Sequence, residues 1–188
     1  MSDLTLWEWH TILKILRFGL CGRGIRRVAE HSDLDRDLIL LRVLEAPRFK
    51  IWRAWTQPVM IQKWLLPPPM RCQVLCLDPR PGGGLEINRA PANGIFEPHF
   101  VGCFLDVEVE RRLVFTDSLL AGYRPSPRPS MTVEVTLEDH ERGTAQTIRA
   151  MCKDRSERDR LSARDFYENW ENALDVLAEL ARWRRPTR

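Results

Sequence analysis

The sequence predicts an α+β fold, in which a run of antiparallel strands lies between two short helices and one long C-terminal helix. Three observations point there. Met131, Val133, Val135 and Leu137 alternate with Thr132, Glu134, Thr136 and Glu138, and a period of two marks a half-buried strand. The links between neighbouring strand-like stretches are short, which suits antiparallel pairing. Phe166, Trp170, Ala173, Leu174, Leu177 and Leu180 share one helical stripe, with no Gly or Pro until Pro186,. Helices segregated from an antiparallel sheet define the class.

The elements follow in order. Asp37 to Glu45 is rich in Leu, Ile and Val and reads as a strand,. Pro47 closes it and opens a helix carrying Phe49, Ile51, Trp52 and Trp55, since proline fits a first helical turn. Thr56 is placed to cap a second short helix, with Pro58 near its start and Val59, Ile61 and Trp64 as its apolar side. Pro67, Pro68 and Pro69 stop it. Five or six strands should follow: Arg71 to Asp78, Leu85 to Asn88, Phe96 to Val109, Leu113 to Ser118, the alternating segment from Met131, and Thr144 to Cys152. Turns are expected at Pro81–Gly84, at Arg111 and Arg112, and at Glu141–Gly143. Ser156 or Ser162, each with an Asp three residues on, is placed to cap the final helix.

The 188 residues allow one domain with a single core,. Residues 35–183 form that domain, and 184–188 a basic tail. Residues 1–34 form an N-terminal extension. Within it Leu6, Trp9, Ile12, Leu13, Leu16 and Leu20 recur at helical spacing until Gly19, Gly22 and Gly24 end the pattern,. A short helix packed on its own domain, or a poorly ordered stretch, is the leading expectation. A helix docking on a membrane surface or a partner, or a stretch outside the true start, are the alternatives.

Composition excludes several functions. A net charge of +3 is too small to require nucleic acid or an anionic membrane,. No apolar run is long enough to span a bilayer. The first residues, broken by His10, Lys14 and Arg17, make a poor secretory signal. Five scattered cysteines do not resemble a disulfide framework, so a reducing cytoplasm is expected,. There is no Gly-x-Ser-x-Gly elbow and no His-Glu-x-x-His pair. Gly82-Gly83-Gly84 lies between strands and lacks the helix N-terminus of a phosphate site. Cys72 and Cys76 would share one strand face, as would His99 and Cys103. Yet residues four apart on a strand stand about 13 Å apart, too far for one zinc ion. No metal and no cofactor are expected. Asp78 and Arg80 are placed to pair across their turn, an exposed contact contributing about 0.5 kcal/mol.

Several segments together carry a resemblance. Ala46-Pro47, the run Ile51-Trp52-Arg53-Ala54-Trp55-Thr56, Pro58 and Lys63-Trp64 resemble the opening signature of the activator of heat-shock-protein-90 ATPase homologue-like family, a START-related branch. Asp78-Pro79-Arg80-Pro81-Gly82-Gly83 resembles its Asp-x-Arg-x-Gly-Gly turn, and Arg112-Leu113-Val114-Phe115-Thr116 its Arg-Leu-Val-Phe-Thr strand. Thr132 to Glu138, Gly143-Thr144 and the Trp170–Leu177 helix match in order, so the resemblance runs from about Asp35 to Trp183. The chain departs from the pattern at Leu65, where the family often has Trp, and at Asn169, where it often has Gly.

The resemblance implies a helix-grip (START-like) fold, a curved antiparallel sheet wrapped around the long C-terminal helix, with a cavity between them. The alternation places Cys103, Leu105, Val107, Leu113, Phe115, Met131, Val133, Val135 and Leu137 toward that helix, against Phe166, Trp170, Leu174 and Leu177. Trp52 and Trp170 are expected to pack inside. Trp55 and Trp64 are expected at a pocket mouth or on the surface, and Tyr123 and Arg124 on a proline-rich loop able to cover the entrance. The inward sets hold almost no titratable group, and Asp106, Glu108 and Glu134 fall on the outward parity. A non-catalytic binding module for a hydrophobic or amphipathic small molecule is therefore expected ahead of an enzyme. A chaperone is the second partner that the resemblance implies. A cyclase- or hydrolase-like enzyme is the third reading. A dimer is among the assemblies the sequence allows.

Overall fold

The computed structural model describes residues 33, 35–66, 68–127, 129, 131–163 and 165–182. The amphipathic segment from Leu6 to Leu20 and the basic tail lie outside the described residues. The elements are β1 (Asp37–Leu44), α1 (Arg48–Thr56), α2 (Pro58–Ile61), β2 (Arg71–Leu77), β3 (Gly84–Ala90), β4 (Glu97–Glu108), β5 (Arg112–Thr116), β6 (Leu119–Leu120), β7 (Arg124–Pro125), β8 (Met131–His140), β9 (Gly143–Cys152), α3 (Arg155–Ser162) and α4 (Phe166–Ala181). Seven strands form one sheet in the order β1-β9-β8-β5-β4-β3-β2. All neighbours in it are antiparallel. β6 and β7 make a separate two-stranded ribbon.

β1 and β2, adjacent in sequence among the strands, form opposite edges of the sheet. The chain joining them, α1 and α2, must therefore cross one face. It brings Ile51, Ala54, Trp55, Ile61 and Trp64 into the core against α4 and the strands. The result is a seven-stranded antiparallel sheet packed on a C-terminal helix, consistent with the helix-grip α+β fold that the resemblance implies.

The other face carries a charge ladder. Asp37 on β1 accepts from Arg149 on β9 at 2.7 Å, and Arg149 lies 3.8 Å from Glu134 on β8. Glu134 accepts from Arg112 on β5 at 2.6 Å, and Arg112 also pairs with Asp106 on β4. Burial works against the Arg112 charge, but the hydrogen bond it donates to Glu134 and the nearby carboxylates raise its pKa on balance,. Asp106 and Glu134 thus point outward as their parity predicts.

Local details correct the sequence reading at the caps. Thr56 ends α1 and donates to the Trp52 carbonyl instead of capping α2, whose cap is Gln57. Val59 is largely exposed, so only Ile61 and Trp64 form the apolar side there. The long final helix is two helices: the chain breaks at Asp165, whose φ is 57°. Neither Ser156 nor Ser162 caps. Asp154 caps α3 by accepting from the Glu157 amide at 2.8 Å,. Asp78 and Arg80 do pair, at 2.9 Å.

Candidate functional site

The core is filled at one end and hollow at the other. Toward the end of α4 and the β8–β9 turn, Ile51, Ala54, Val135, Leu137, Leu174 and Leu177 are wholly or almost wholly buried. Toward the start of α4 a cleft of about 1010 Å³ opens between sheet and helix. Its apolar wall includes Trp55, Phe100, Phe104, Phe115, Met131, Val133, Ile148, Phe166 and Trp170. Residues 68–70, Leu120 of β6 and the loop residues Ser126 and Pro127 frame it.

Trp55 stands where the filled and hollow parts meet. It is 3% exposed. Its ring centroid lies 4.7 Å from that of Trp64, edge to face, and 5.9 Å from that of Trp170, stacked. Phe115 is 6.3 Å from Trp55 and 5.5 Å from Phe100, perpendicular to it. These offset and edge-on pairs are the favoured aromatic geometries. The Trp55 indole donates to Gln146 Oε1 at 2.9 Å. The Gln146 amide nitrogen is buried and has no hydrogen-bond partner among the described residues.

Of the residues the sequence proposed for a cavity, the cleft brings together Trp55, Phe115, Met131, Val133, Phe166 and Trp170. Val135 and Leu174 fill the solid end instead. Trp64 is 0% exposed and donates to the Ala54 carbonyl at 2.9 Å, so it packs behind the cleft. The expected order of tryptophan burial is thereby reversed: Trp55 and Trp64 are buried, while Trp52 and Trp170 are only partly so.

Cys103 and Leu105 lie outside both the cleft and the main core cluster. The physical reason is a β-bulge. Phe104 pairs with Phe115 and Asp106 with Val114, leaving Leu105 without a partner. An extra residue reverses the alternation, so Phe104 faces the helix on one side of it and Val107 on the other. Cys103 lies opposite Gly84 in the register, and its thiol is pushed up by burial, partly offset by the Tyr123 backbone. Tyr123 is not at the cleft. It is half-exposed and its ring sits over Gly82, whose carbonyl accepts from the Gly122 amide at 2.8 Å. Arg124 is likewise exposed and away from the lining.

Two more bulges separate the cysteine and histidine pairs. One at Leu75 puts Cys72 against the core, while Cys76 lies against Gly84 outside it. The other, at His99, sets that residue apart from the strand parity of Cys103. Among the described residues there is no group of three or more His, Cys, Asp or Glu able to hold a metal.

The sequence reading missed the polar lining. Arg89, His99, Asp117, Ser126, Arg160, Asn169 and Asn172 all border the cleft. Asp117 accepts from the Met131 amide at 2.9 Å. Arg160 pairs twice with Glu157. His99 keeps an accessible surface but stands inside a concave mouth. Desolvation there, and then the Arg89 charge, lower its pKa,. Period-two reasoning had no way to place His99, because a bulge residue belongs to neither parity.

The sequence profile described as Activator of Hsp90 ATPase homolog 1-like protein matches residues 45–182. The chain belongs to this family. The Hsp90-activator-like match begins one residue after β1, whereas the resemblance read from the sequence began near Asp35. A crystal structure of a protein from Nitrosomonas europaea is similar at 32% identity and a TM-score of 0.75, covering 80% of this chain and 96% of that one. Another, from Chromobacterium violaceum, is 27% identical with a TM-score of 0.66, covering 79% and 99%. A protein from Mycobacterium smegmatis, at 20% identity, a TM-score of 0.68 and 84% and 96% coverage, shares the fold. Among curated proteins there is no match. No described helix is long and apolar enough to cross a membrane.

Proposed function

We propose that this chain is a non-catalytic binding module that takes a small hydrophobic or amphipathic molecule into the cleft between the sheet and α4. The observation that carries the reading is the hollow end of the core, about 1010 Å³ and walled by Trp55, Phe100, Phe115 and Trp170. Apolar concavities with a few polar groups at the margin are the usual form of a small-molecule site. Aromatic walls left without a partner lose dispersion contacts that a bound molecule restores. The domain at work is 35–183, and the expected setting is a reducing cytoplasm, in keeping with the four free thiols at Cys72, Cys76, Cys103 and Cys152. Native mass spectrometry of freshly purified protein should show a co-purifying species. A solvatochromic dye should bind and be displaced by apolar competitors. Mass equal to the bare chain and no dye binding would defeat the reading.

A second reading, a chaperone-interacting module, is favoured by the family's description alone, and likeness of fold does not establish a shared task. Adding the protein to a purified chaperone ATPase separates the two. A changed turnover rate supports this alternative, and an unchanged rate with no complex removes it.

A further inference from the structure

The cleft's polar groups are not equivalent, and their differences bear on what enters it. Arg160, at one margin, is already held by Glu157 through two hydrogen bonds. Asp117 is a carboxylate holding a backbone amide. The Arg89 side chain, at the β3–β4 margin, makes no ion pair or hydrogen bond among the described residues, although the residue lines the cleft. Glu97 is its register partner on β4, yet the two make no contact within ion-pair distance. The bulge at His99 sets the imidazole into the same margin. Depression of its pKa leaves His99 neutral near pH 7, with one ring N–H to donate,. That margin therefore offers a planar guanidinium and an imidazole donor beside an apolar chamber.

Resting on the binding reading above, we propose that the molecule taken up is amphipathic with an anionic head. The head sits against Arg89 and His99, and the apolar part runs inward to Trp55 and Trp170. A guanidinium matches a carboxylate or phosphate bidentately, and a charge-assisted bond is about twice as strong as a neutral one. A neutral alcohol head would use His99 and leave the Arg89 fork unfilled. An ammonium head would be repelled.

The test compares heads on one tail. Dodecanoate, dodecyl phosphate, dodecanol and dodecylammonium are titrated against bound dye at low salt. Both anions should bind at least about tenfold tighter than dodecanol, and dodecylammonium weakest. The phosphate-to-carboxylate ratio tells which anion the head resembles. Raising salt should weaken the anions and spare the alcohol. Arg89→Gln should bring dodecanoate to within about twofold of dodecanol. Arg89→Lys should keep part of the preference, which shows that charge and not folding is at stake. If dodecanol binds as well as dodecanoate, or the preference survives Arg89→Gln, the anionic head is wrong while the cleft remains a binding site. If none of the four binds, the binding reading itself fails.

Discussion

Replacing Trp55 by Phe tests whether the aromatic cluster and its buried amide act as a unit. The indole N–H of Trp55 is the partner of Gln146 Oε1 at 2.9 Å, and Gln146 is 0% exposed. Its amide nitrogen already lacks a partner. Trp55→Phe therefore leaves the whole amide unsatisfied in a dry place, costing about 1–3 kcal/mol. Loss of the fused ring and of its packing on Trp64 and Trp170 adds about 1 kcal/mol. The sum is about 2–4 kcal/mol. Gln146→Leu alone is different. It strands one indole N–H but removes an amide that was half-unsatisfied, so its net effect stays within about 1 kcal/mol of zero. In the double variant no polar group is stranded, and most of the Trp55→Phe penalty should vanish. The coupling between the two sites should be about 1–2 kcal/mol. Urea unfolding followed by far-ultraviolet circular dichroism measures it, with an unchanged m-value showing that only stability moved. Simple additivity of the two single variants would refute the pairing.

Other consequences can be checked in the same way. Gly102→Ala would place a Cβ 1.9 Å from the Thr116 carbonyl oxygen, so β4 and β5 must part, and the melting temperature should fall by an amount equivalent to about 2 kcal/mol or more. Asp154→Ala removes the cap of α3 and should cost about 1 kcal/mol, with Asp154→Asn largely neutral,. Burial pushes the Cys72 and Cys152 thiols up to about 11 from an ordinary value of 9.0, with Glu157 and Asp37 adding to the Cys152 shift. The folded chain then holds these protons more tightly than the unfolded one. Their contribution is intact below pH 9 and is lost as pH rises toward 11. Urea midpoints should fall over that window, and the Cys72→Ala/Cys152→Ala variant should show a shallower fall.

The sheet's middle was legible in the sequence, and its far strands were not, for one physical reason. β8 runs from Met131 to His140 in unbroken register with β9. Its alternation therefore names its inward residues, and Met131 and Val133 reach the cleft while Val135 and Leu137 fill the solid end. β5 is regular along β8 and delivers Phe115 in the same way. β2 and β4 carry bulges at Leu75, His99 and Leu105. None of these three residues is a Gly, because a bulged residue needs only an ordinary helical-region backbone, and only His99 has a flanking signal, in Pro98,. Alternation read through such a point assigns the wrong face from there on, which is how Cys103 and Leu105 were placed inward.

The tryptophans failed for another reason. Trp55 on α1 and Trp64 in the turn after α2 belong to the segment that crosses the sheet from edge to edge, and their burial is set by that crossing and not by any period along the chain. The bulges and the crossing have a joint effect on the site. Sharp local twist from the bulges bends β4 at the cleft end, while α1 fills the other end with Ile51 and Ala54. The two bulges of β4 flank Phe100 and Phe104, which line the hollow half together with Phe115, Met131 and Val133 of the regular strands. Removing a bulge should therefore act on the cleft more than on the core. Deleting Leu105 would leave Phe104 opposite Phe115, now 6.0 Å from it edge to face, and Asp106 opposite Val114 in continuous register, and would remove the local bend of β4,. The deletion variant should lose dye binding in the cleft by more than its loss of stability predicts, and unaltered dye affinity would show that the bulge does not shape the cavity.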